Sequence, residues 1–171
     1  MDSTDLHLCP DVGNGYSVQG IQIITASPGL EKPWVALFGS LEYPTGEGVY
    51  TIHERKRHDE VANHLQFLIE TDAQAFWFVV LDNASQHTTE KLSDLLWSNK
   101  DRLELVFLPT YSPHLNLIEK LWRLLRGQMT RNHFYYHLKA LCEAVVQWLE
   151  KLPLAQFCSL MGIDDSQLDF V

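Results

Sequence analysis

The sequence predicts an α/β domain built on a mixed sheet, and three observations carry that expectation. Short apolar segments separated by turn signals fill residues 1–53. From residue 57 the apolar spacing switches to a helical period. A continuous apolar run, Phe76–Leu81, and a second buried-strand candidate, Leu103–Leu108, then alternate with helical segments. Strands followed by helix–strand–helix–strand–helix is the signature of a sheet flanked by helices.

Taken in order, Asp2–Cys9 alternates weakly before Pro10 and the turn-rich Gly13-Asn14-Gly15. Ile21–Ala26 and Trp34–Leu41 are apolar and flank Ser27-Pro28-Gly29; Pro44-Thr45-Gly46 leads into Gly48–His53. Three or four antiparallel strands are expected there. Val61, Leu65, Leu68 and Ile69 make residues 57–71 an amphipathic helix. Phe76–Leu81 and Leu103–Leu108 read as strands buried on both faces. Helices are expected over 88–98, 117–128 and 137–151, with Ile118, Leu121, Trp122 and Leu125 facing inward as core.

The 171 residues suffice for one domain with a single substantial core, and 46% apolar with 20% charged residues is a globular balance. The longest apolar run is far short of a membrane span, and the acidic start is unlike a secretory signal. Cys9, Cys142 and Cys158 form no CxxC pair and suit a reducing, cytoplasmic setting, with Cys142 and Cys158 expected as buried small hydrophobes. A net charge of −9 argues against a chain that grips nucleic acid by itself, because phosphate neutralisation needs a surplus of Lys and Arg.

Functional groups in open α/β sheets gather beyond the carboxyl ends of parallel strands. Asp82 stands at that position after the first buried run, where it is either a metal ligand or a cap for the next helix. Glu119 lies three residues after Asn116, a spacing that by itself reads as a capping box. Glu119 also falls in the first turn of a helix, one position off the apolar stripe, from which it could reach the sheet edge near Asp82. Two carboxylates on different elements facing one crevice are what hard divalent cations require.

The segments around these two residues read LDNASQH and LVFLPTYSPHLNLIEKLW. Together they resemble the second and third acidic motifs of mariner-type bacterial insertion-sequence transposases of the DDE superfamily, whose pattern is roughly DNxxxH followed by LPxYSPxLNPIExxW. The N-terminal DSTDLHLCP is similar to the family's first acidic motif and aligns Asp2 with its first carboxylate; Gly20 matches a following glycine. Ser3 stands where the family usually has an acidic residue, and Leu117 where it has proline.

The resemblance covers about residues 2–128 and implies an RNase H-like fold. It implies DNA strand cleavage and strand transfer with Mg2+ or Mn2+, two ions held by Asp2, Asp82 and Glu119. Asn83, His87 and Asn116 would orient these groups or touch substrate, against the simpler role of local capping. Double-stranded DNA is the implied partner, together with a homodimer and a bacterial, nucleoid-associated location. Family members carry helix-turn-helix modules upstream; the sequence expectation is one catalytic domain over 1–171, a truncated or split-frame product relying on a separate DNA-binding subunit. The alternatives are a folded relic without cleavage activity and an RNase H-like nuclease that does not transpose. His133, His137 and Cys142 lack a fourth ligand for zinc, and Arg55, Lys56, Arg57, Arg123 and Arg126 are either phosphate contacts or solvated surface.

Overall fold

A computed structural model describes residues 1–14, 16–21, 24–27, 29, 32–43, 45–82, 90–109 and 115–162. Strands β1 (Asp2–His7), β2 (Trp34–Leu41) and β3 (Gly48–His53) form an antiparallel sheet in the order β1-β2-β3. Helix α1 (His58–Thr71) leads to β4 (Trp77–Leu81), and α2 (Glu90–Ser98) leads to β5 (Leu103–Phe107), which pairs with β4 in parallel. Three helices follow: α3 (Ile118–Leu125), α4 (Leu138–Lys151) and α5 (Leu154–Met161). The nitrogen of Met1 donates to the Val80 carbonyl at 2.7 Å, which brings the start of β1 to the end of β4.

Period-two alternation along β2 divides the core. Val35 and Leu37 join Leu6 on one face, under Ile118, Leu121, Trp122 and Leu125 of α3 and Leu141 and Val145 of α4. Ala36 and Phe38 point the other way, into a second cluster with Val61, Leu65, Leu68 and Ile69 of α1, Leu92 of α2, and Val79 and Leu81 of β4. A strand buried on both faces needs nearly continuous apolar sequence, and β2 has it.

Four expectations are corrected. Phe76–Leu81 and Leu103–Leu108 are not buried on both faces: Val79, Leu81 and Leu103 are buried, whereas Phe78, Val80 and Val106 are exposed at 66%, 42% and 41%. Helices α1 and α2 pack on the side that carries Val79, Leu81 and Leu103. No strand forms among the described part of 21–26, where Ile21 and Ile24 are exposed. The helix expected over 117–128 ends at Leu125 and continues as a π-helical turn, Arg126–Thr130, and α5 adds a helix beyond residue 151. Cys158 is buried as expected, but Cys142 is only half-buried. Among the described residues, no helix is long and apolar enough to cross a membrane.

Candidate active site

Asp2 and Glu119 lie within regular elements, and Asp82 directly follows one. Asp2 opens β1 opposite Gly39 of β2 and points to the face covered by α3, as Thr4 and Leu6 do. Asp82 follows β4 directly and is exposed. Glu119 is in the first turn of α3, half-buried. The capping role that the spacing allowed for Glu119 is not taken up: α3 begins without a side-chain cap, and Asn116 accepts the Glu119 amide through its backbone carbonyl at 3.1 Å.

The Asp2 carboxyl is near enough to Glu119 and Asp82 to feel both. Burial pushes the Asp2 carboxyl up to about 6, and the Glu119 and then the Asp82 carboxylates push in the same direction; the Ser3 backbone amide and the Lys56 ammonium oppose them. Trp122, buried on α3, donates its indole N–H to Asp2 Oδ2 at 3.1 Å. Lys56 donates to the Ser3 carbonyl at 3.1 Å and lies 3.9 Å from Asp5.

Asp2 and Glu119, but not Asp82, line a polar cleft of about 400 Å3 together with Asp5, Asp11, Lys56 and Arg126, among others. The end of the π-helical turn and the residues just after it are tied to the segment that carries Asp11. Thr130 donates its hydroxyl to Asp11 at 2.9 Å, and Asn132, in the left-handed region at φ 58°, exchanges side-chain hydrogen bonds with the Gly13 backbone.

Among the described residues, no three His, Cys, Asp or Glu side chains already stand close enough to hold a metal ion together. The donor set nevertheless fits a hard divalent cation: carboxylate oxygens from separate elements, whose mutual repulsion such a cation would relieve. His133, His137 and Cys142 form no ligand cluster, and His137 instead accepts the Ala140 amide at the start of α4. Asn83 and His87 lie outside the described residues, and Asn116 is buried.

Sequence reading missed the cleft's second layer, namely Asp5, Asp11 and the bond from Trp122. One signal was available. Glu119, Trp122 and Arg126 are spaced i, i+3 and i+7, and so share one helix face.

Residues 1–142 match the family described as DDE superfamily endonuclease. The chain belongs to this family. A relative of this DDE endonuclease chain, the uncharacterized 39 kDa protein of insertion element IS630 from Shigella sonnei, is 28% identical over 152 residues, covering 88% of this chain and 42% of its own length. Among solved structures, the Mos1 transposase paired-end complex with left transposon end has a TM-score of 0.69 at 15% identity, covering 94% of this chain and 50% of the other. The Mos1 mariner paired-end complex with Mn has a TM-score of 0.66 at 15% identity, with the same coverage. The likeness shows the RNase H-like fold expected from the motifs. The DDE chain thus spans about half the length, or less, of these relatives.

Proposed function

We propose that this chain is the catalytic part of a transposase that cleaves DNA strands and transfers them, with Asp2, Asp82 and Glu119 as its cation-holding carboxylates. One observation carries the reading. Asp2 of β1 and Glu119 in the first turn of α3, far apart in sequence, line one polar cleft, and Asp82 at the end of β4 is near enough to help raise the Asp2 carboxyl. Convergence of like charges in a cleft disfavours the metal-free state and is retained where a cation is to be held.

The expected cofactor is Mg2+ or Mn2+, as two ions, and the Mos1 complex with Mn supports that choice. Bound divalent cations would supply the Lewis acidity for in-line displacement at a phosphodiester. The chain's own part is to hold hard oxygen ligands at the strand ends and to place Lys56 and Arg126 at the rim, where a phosphate would lie. Duplex DNA is the proposed substrate. With a net charge of −9, firm grip on it would come from another DNA-binding subunit and from a dimer rather than from this surface alone.

Mn2+-dependent nicking of supercoiled plasmid tests the reading. Asp82→Ala and Glu119→Ala should each reduce nicking at least a hundredfold; nicking that survives both substitutions unchanged would remove these residues from the active site. Joining of cleaved transposon-end DNA to a target separates a transposase from a nuclease that only cuts.

A further inference from the structure

We infer that Trp122 is a positioning residue for Asp2, holding its carboxylate ready for a divalent cation while the ring serves the core. The inference rests on the proposed role of Asp2 as a cation ligand. Sequence alone assigned Trp122 to the apolar stripe of α3, and at 1% exposure it is indeed core. At that exposure its indole N–H has little access to water, and a buried indole N–H usually finds an acceptor. Asp2 Oδ2 is that acceptor, at 3.1 Å, joining residues 120 positions apart.

The backbone opposite is shaped to admit the ring. Asp2 pairs with Gly39 across β1 and β2, and residues directly opposite in an antiparallel pair face the same side. A Cβ at Gly39 would lie 2.7 Å from Trp122 Cη2 and 2.9 Å from Ile118 Cδ1. One cross-strand pair therefore supplies both the carboxylate and the space in which the indole reaches it. A carboxylate accepts through two oxygens with about four lone-pair positions, so a single N–H on Oδ2 leaves capacity for a cation. Trp122 also lies three residues after Glu119 on α3, so the helix that carries one carboxylate orients another. Phenylalanine would fill the core similarly but could not make this bond.

The test uses the whole chain with 15N-labelled indoles, and Mn2+ and Mg2+ as probes. Trp122→Phe identifies the Trp122 N–H resonance by its disappearance. That resonance should move in Asp2→Asn and on adding Mg2+ to the wild type. Mn2+ affinity, followed by electron paramagnetic resonance, should fall about tenfold in Trp122→Phe, as for other groups that orient metal ligands. Leu125→Val, a neighbouring core change, should lower thermal stability yet bind Mn2+ as the wild type does. If Asp2→Asn weakens Mn2+ binding while Trp122→Phe does not, Asp2 is a ligand and Trp122 only packs, and the inference is overturned alone. Unchanged affinity in Asp2→Asn overturns the cation role of Asp2 and this inference with it. Should Trp122→Phe fail to fold, substituting Trp34, Trp77, Trp97 and Trp148 one at a time assigns the remaining N–H signal to Trp122: a signal that stays put in Asp2→Asn overturns the inference, and one that shifts supports it.

Discussion

At the scale of single residues, two titrating groups set opposite pH trends. His64 of α1 is fully buried, with Nε2 2.9 Å from the Ser40 hydroxyl and Nδ1 2.7 Å from the Thr51 hydroxyl. A neutral imidazole can donate at one nitrogen and accept at the other, and the hydroxyls rotate to match. Burial lowers its pKa to about 3 from 6.5, so the unfolded chain takes up a proton that the fold refuses. The stability contributed by neutral His64 is complete above pH 6.5 and is lost as pH falls towards 3. Urea unfolding at pH 7, 5 and 4 should show this decline, and it should be much reduced in His64→Gln. Asp2 runs the other way. Its carboxyl, raised to about 6 from 3.8, favours the fold while protonated, and that contribution is lost as pH rises through 6. Glu119→Gln removes a repelling charge and should bring the Asp2 titration, followed by carboxyl 13C NMR, back towards the ordinary carboxylate range.

At the scale of elements, α3 links core to cleft. Its buried side packs on β1 and β2 through Ile118, Leu121, Trp122 and Leu125, and Glu119 and Trp122 meet the Asp2 side chain's surroundings. Gly39→Ala tests how closely helix and sheet approach. The added methyl would meet the Trp122 ring and Ile118 well inside contact distance, and overpacking of this kind costs about 1–3 kcal/mol. Urea midpoints should fall accordingly, whereas Gly127→Ala, with nothing near its would-be Cβ, should be close to neutral or slightly stabilising. The type of nearly every element was legible from its apolar period, because that pattern is local. Coverage was not. The run at β4 is as apolar as β2, yet β4 leaves Phe78 and Val80 exposed, and β5 leaves Val106 exposed. An apolar run records that burial is possible, and helix placement elsewhere in the chain decides whether it happens.

At the scale of the whole molecule, net charge and cation binding make two predictions. A chain of net charge −9 should bind duplex DNA weakly, with Kd no tighter than about 1 μM at physiological salt, the range of non-specific binding. Fluorescence anisotropy with a labelled duplex checks this, and nanomolar affinity for this chain alone would contradict the proposal that a further subunit supplies the grip on DNA. Divalent cation should also stabilise the fold, since a ligand at a hundred times its Kd contributes about 2.7 kcal/mol. Thermal midpoints should rise with Mn2+ in the wild type and much less in Asp82→Ala. Equal rises in both would place the bound ion elsewhere.

The sequence by itself determined the α/β class, the family, and Asp82 and Glu119 as candidates, because periodicity and motif spacing are properties of neighbouring residues. It left Glu119 divided between helix cap and cleft, and it read Trp122 only as core. Tertiary structure decided those points: α3 starts without a side-chain cap, and the Trp122 indole reaches a carboxylate 120 positions away. It also placed His64 between hydroxyls of two strands and left one face of the β4–β5 pair exposed. Each depends on cross-strand register and on where a helix comes to rest. Those are set by contacts between distant segments, which no local pattern encodes.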